Sequence, residues 1–98
     1  MNRQDFLACL DIQVQTLDFW LEQEWLVPGR VAAEMNFSDI DVARGRLIQD
    51  LKTGFGVNHE GVDVILHLLD QLHGFRRAFE DLHEDVTRAR GARRQSGH

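Results

Sequence analysis

The sequence predicts a mainly α-helical fold with one small β-hairpin and a long C-terminal helix. Three observations carry this. Apolar residues recur at helical spacing over most of the chain. Its one Pro-Gly step, Pro28-Gly29, separates two helical stretches from two later ones. From Ile65 onward, apolar residues alternate at steps of three and four without interruption.

Asn2, with Asp5 three residues on, marks the first helix start, because a short polar side chain can accept from free backbone N–H groups. Phe6, Cys9 and Leu10 then share a face, which places the Cys9 thiol in the core. Leu10-Asp11-Ile12 reads as a turn, and a second helix follows from Gln13 to about Glu24. Val14, Leu17, Leu21 and Trp25 fall within one arc and form its expected buried stripe. Gln15, Asp18, Phe19, Glu22 and Gln23 lie opposite. The stretch 30–37 has no helical stripe and suits an arm of a hairpin.

Ser38 with Asp39 and Asp41 is a capping signature for a third helix over Asp39 to Thr53, with Ile40, Ala43, Leu47, Ile48 and Leu51 repeating at three and four. Gly45 inside it costs helix stability unless close packing requires it. The run 53–58 is a turn, and Asn58 can cap the last helix. There Ile65, Leu68, Leu72, Phe75, Phe79, Leu82 and Val86 form a heptad seam. A helix of about 28 residues extends roughly 40 Å, longer than a small domain can cover. Leu72, Phe75, Phe79, Leu82 and Val86 are therefore candidate dimerisation residues, packing on a second copy; folding back on the same domain is the other reading.

The expected organisation is one domain over 1–87, with the first two helices and hairpin in 1–37 and the helical part in 38–87, followed by a disordered basic tail over 88–98. Charge follows the same division. Residues 1–36 hold two basic residues against six acidic ones, residues 37–87 five against ten, and residues 88–98 four arginines and no acid. Nucleic-acid binding needs cations facing phosphates, and the acidic body argues against it. The apolar runs are too short for a membrane span, and the N-terminus has no basic segment leading into an apolar one, so a cytoplasmic protein is expected.

Catalytic signals are thin. Ser38 is accounted for as a cap, and Gly54-Phe55-Gly56 lacks the further glycines and the basic residue of a phosphate loop. His59, Asp63 and His67 recur at four, a spacing that can bind metal but is also that of a solvated polar stripe. No catalytic residue, metal ligand or cofactor is expected, and no enzymatic activity. Trp20 and Trp25 read as core or hairpin-packing residues. Phe19, among glutamines and carboxylates, is either an exposed anchor for a basic protein or a residue packed under the hairpin. Asp18, Phe19 and Glu22 are the candidate partner-binding residues.

The layout resembles the winged helix-turn-helix of MerR-type regulators and, more closely, the chaperone modulators of the CbpM family. The carrying residues are Ile12, Thr16-Leu17, Val27-Pro28 and the run from Phe37-Ser38-Asp39-Ile40 to Arg44. Leu47-Ile48-Gln49-Asp50-Leu51 and Phe55-Gly56-Val57-Asn58-His59-Glu60-Gly61-Val62 follow, leading into Ile65 to Leu72 through Asp70-Gln71. The match covers roughly residues 4 to 87. The resemblance implies a non-enzymatic adaptor that binds the J-domain of a DnaJ-like co-chaperone of the CbpA type and inhibits its action with DnaK. A MerR-like transcription regulator is the alternative. MerR-type regulators usually carry an arginine after the threonine and aliphatic pair of the second helix, where this chain has Asp18. J-domains present a basic helix, which suits the carboxylates of Asp18 and Glu22. Relatives commonly have glycine in place of Glu24.

Overall fold

The computed structural model describes residues 1–96 of the 98, with side chains described for residues 1–91. Elements follow in the order α1 (Arg3–Leu10), α2 (Val14–Glu22), β1 (Gly29–Val31), β2 (Glu34–Asn36), α3 (Asp39–Gln49), a π-helical turn (Asp50–Gly54) and α4 (His59–Ser96). This is the mainly helical fold with a small hairpin and a long terminal helix that the sequence predicts. The chain divides into two compact units, Met1–Asp63 and Val64–His98.

Three helix starts have a side-chain cap, whereas α2 begins after Gln13 without one. The Asn2 side chain accepts from the Asp5 N–H at 2.8 Å, opening α1. Ser38 and Asp41 form a reciprocal capping box at α3: the Ser38 Oγ accepts from the Asp41 N–H, and the Asp41 carboxylate accepts from the Ser38 N–H at 2.8 Å. Asn58 Oδ1 accepts from the Gly61 N–H at 2.8 Å and caps α4. A Cβ on Gly61 would lie 2.6 Å from the Val57 side chain and 3.0 Å from that capping oxygen, so the close cap needs glycine.

Helices α1 and α2 stop in the same way, with a residue in the left-handed region. At α1 it is Asp11 (φ 53°), with Asp11 N–H donating to Ala8 O and Ile12 N–H to Leu7 O. At α2 it is Glu24 (φ 58°), with Glu24 N–H donating to Leu21 O and Trp25 N–H to Trp20 O. Both are Schellman closures, a motif that glycine fits best. A Cβ in this conformation costs about 1–2 kcal/mol. Glu24→Gly is therefore expected to stabilise the fold by about 1 kcal/mol. A thermal melt followed by circular dichroism should show a rise of about 4–8 °C; a lower melting temperature would contradict this account of the helix end.

The hairpin pairs Gly29 with Asn36, Arg30 with Met35 and Val31 with Glu34. Its two-residue turn is Ala32-Ala33, both at positive φ (52° and 67°), the geometry that matches the twist of antiparallel strands. The Arg30 guanidinium donates to the Ala33 carbonyl at 3.2 Å, across the turn. Leading into α3, the Phe37 N–H donates to Met1 O at 2.8 Å, and the Phe37 ring stacks on Phe6 with centroids 4.2 Å apart.

The core of this unit comprises Phe6, Leu10, Leu17, Trp20, Trp25, Leu26, Phe37, Ile48 and Val62. It departs from the expected stripes in four places. Cys9 is exposed, because α1 presents its Phe6 and Leu10 edge to α3 and turns residue 9 outward. Val14 is 46% exposed while Trp20 is buried, so the buried arc of α2 runs through Leu17 and Trp20. Ile40 is exposed, and so is Ala43; α3 buries Gly45 and Ile48 instead. Finally, α3 ends at Gln49 and yields to the π-helical turn. There the Thr53 hydroxyl donates to the Gln49 carbonyl at 2.7 Å, and the Phe55 N–H reaches back five residues to Asp50 O.

Gly45 is where α3 meets α1 and α2. A Cβ there would lie 2.5 Å from Leu10 Cδ1, 3.4 Å from Phe6 Cζ and 3.5 Å from a Trp20 ring carbon. Leu10 is itself buried, so its side chain must repack to make room. Gly45→Val is therefore expected to destabilise the fold by about 1–3 kcal/mol, although valine is the better helix former. Urea denaturation would read the loss; unchanged stability would mean that this packing yields freely.

In the second unit α4 continues as helix through Ser96, so residues 88–96 are helical where composition predicted a disordered tail. Arg88 pairs with Glu84 at 3.2 Å and with Asp85 at 3.7 Å, spacings that extend a helix beyond its apolar seam. Gly97 and His98 lie outside the described residues.

Candidate partner-binding face and helical seam

Helix α2 sets out its outer face because Leu17 and Trp20 anchor its inner one. Asp18 and Glu22, one turn apart, are exposed. Asp18 accepts from the Arg3 guanidinium, an ion pair whose side chains are 41% and 51% exposed. A pair this open adds little stability, but it offsets part of the Asp18 charge. Sequence spacing gave no signal of it, since Arg3 and Asp18 belong to different helices. Glu22 remains exposed on the same face.

Phe19 is half-buried. Its contacts are with Trp25 and His59 rather than the hairpin. The Phe19 ring meets Trp25 edge-on at 5.6 Å and His59 at 5.3 Å, and His59 lies 5.1 Å from Trp25. The Lys52 ammonium sits 5.2 Å from both the Phe19 and Trp25 centroids. Trp25 is held from behind: its indole N–H donates to Asp63 at 3.1 Å, and its carbonyl accepts from Arg44. Four separate segments thus build one cluster. An aromatic next to glutamines hints at Phe19, but nothing in the sequence pointed to Lys52 or to the enclosing role of His59.

The polar stripe His59, Asp63, His67 is divided by these contacts. His59 faces the rings, Asp63 holds the indole, and His67 pairs with Gln71 at 3.2 Å. Among the described residues no group of three His, Cys, Asp or Glu is placed to hold a metal ion. Beside Phe19 lies an open groove of about 540 Å³, lined by Asp11, Gln15, Thr16, Gln49, Lys52 and Thr53 among others. Its amides and hydroxyls offer hydrogen bonds to a polar surface.

The second unit presents the seam. Leu72, Phe75, Phe79, Leu82 and Val86 are all exposed, with Phe75 and Phe79 at 72% and 71%, and Leu68 continues the row. A row of large apolar side chains along one helix face is far beyond the scattered apolar exposure of an ordinary surface. No helix among the described residues is long and apolar enough to cross a membrane.

Comparison with known proteins adds one finding. The family model of MerR helix-turn-helix regulatory proteins matches residues 1–84, which takes in both helices of the helix-turn-helix, the hairpin, α3 and much of α4. No curated protein and no solved structure matches the chain. A family model matched over residues 1–84, most of the chain, makes this protein a member of the MerR helix-turn-helix regulatory family.

Proposed function

We propose that this family member is a non-enzymatic adaptor that binds the J-domain of a DnaJ-like, CbpA-type co-chaperone and inhibits its work with DnaK. It acts as a homodimer in the cytoplasm and takes no cofactor. One observation carries the reading: α2, the helix that a DNA-binding relative would insert into the major groove, holds Asp18 and Glu22 on its exposed face and no basic residue. Carboxylates there oppose phosphate and favour a basic protein surface. The resemblance of the runs 37–44 and 55–72 to the CbpM family supplies the identity of that surface.

The family match favours a second reading, a DNA-binding regulator. Arg30 on the hairpin and Arg46 on α3 are exposed cations in the first unit that would serve it. A pulldown with a purified CbpA-type J-domain, run beside a low-salt gel shift on random duplex DNA, separates the two. Capture of the J-domain without DNA retention supports the adaptor. DNA retention that falls steeply with salt, without J-domain capture, overturns it.

A further inference from the structure

Within the unit Met1–Asp63 a cation is already seated on aromatic rings. Lys52 lies 5.2 Å from two ring centroids, inside the roughly 6 Å range where a ring face attracts positive charge. The rings are fixed by their neighbours, since Phe19, Trp25 and His59 contact one another and Asp63 holds the Trp25 indole. Trp25 is buried, and the cluster is reached from solvent through the half-buried Phe19, His59 and Lys52. Glu22 stands one helical turn beyond Phe19, and the unit around the cluster carries five basic residues against eleven acidic ones. The surroundings therefore attract cations, and the rings desolvate one at short range.

We propose that the Phe19–Trp25–His59 cluster is a binding seat for a cationic side chain of a basic protein partner, and that Lys52 occupies it in the free protein and yields it on binding. Arginine is the better ligand, because its planar guanidinium stacks on ring faces and is less strongly hydrated than an ammonium. The exchange trades one cation for another at the rings, so affinity comes from the acidic rim, and the seat contributes selectivity for arginine. The inference rests on the reading of the partner as a basic protein, though not on its being a J-domain.

The probe is the tripeptide acetyl-Arg-Lys-Arg-amide, titrated into ¹⁵N-labelled protein while the indole N–H resonance of Trp25 is followed. Lys52→Met keeps the length of the side chain and removes its charge; Phe19→Leu keeps an apolar filler and removes the ring face. The wild type is expected to shift weakly. Lys52→Met should reach half-saturation at about five-fold lower peptide concentration, and Phe19→Leu should lose the shift. Equal half-saturation for Lys52→Met and wild type, or an unchanged response in Phe19→Leu, overturns the seat. A J-domain titration on the same samples keeps the two claims apart. Tight J-domain binding with no effect of Lys52→Met on the peptide sinks the seat alone; peptide seating as described without J-domain binding sinks the J-domain reading alone.

Discussion

Replacing both seam phenylalanines, Phe75→Asp with Phe79→Asp, is expected to turn the proposed dimer into a monomer, with a loss of at least about a thousand-fold in association. Each ring is largely exposed in the single chain, and burying such a side chain contributes about 1.5–3 kcal/mol. A symmetric pair of helices would bury four rings, and the variant would bring four carboxylates to the same contact. Sedimentation equilibrium over a range of concentrations reads the outcome. Neither residue belongs to the core of the unit Met1–Asp63, so near-ultraviolet circular dichroism from Trp20 and Trp25 should be unchanged. A wild-type chain that stays monomeric at tens of micromolar would contradict the pairing outright.

The second large effect concerns α2. Asp18→Arg with Glu22→Arg is expected to weaken J-domain binding by about a hundred-fold, because like charges brought face to face cost several kcal/mol. The same change should raise retention of random DNA at low salt, since it turns the exposed face of the helix cationic. Folding stability should change little: both positions are exposed, and the Arg3–Asp18 pair is open to solvent. Glu22→Gln alone should give a smaller loss, and it isolates charge from shape. If the double reversal bound the J-domain as wild type does, another face would have to carry recognition.

The features legible in the sequence are those with local chemical causes. Asn2, Ser38 with Asp41, and Asn58 announced three helix starts, because a cap is made by residues three apart. The seam was legible for the same reason, since a heptad is a pattern along one helix. What escaped depends on pairs distant in sequence or on turns with unusual residues. Ala32-Ala33 adopts a turn that usually advertises itself with asparagine and glycine, so the hairpin could be suspected but its register could not. Gly45 looked like a weak point in α3; its reason lies in Leu10, Phe6 and Trp20, on two other helices. The periodicity of α2 pointed to a buried arc through Val14; the helix is instead rotated so that Trp20 is buried and Val14 is exposed, because its inner face is set by packing against other elements.

The candidate face shows the same division. Asp18 and Glu22 lie on one exposed face, as their spacing of four requires. The ion pair of Asp18 with Arg3 and the placement of Lys52 over Phe19 and Trp25 arise only when separate elements pack. Arg3 reduces the charge that the sequence attributed to Asp18, which leaves Glu22 the more open of the two carboxylates on α2.

On the proposed function, the acidic face of α2 receives a basic protein instead of the DNA backbone. Calorimetric titration of a purified CbpA-type J-domain into the full chain, repeated at low and at raised salt, tests it most directly. The expected result is saturable heat, with an affinity that weakens as salt rises and that falls about a hundred-fold in the Asp18→Arg, Glu22→Arg variant. No heat at tens of micromolar, or binding indifferent to both salt and charge reversal, would contradict it.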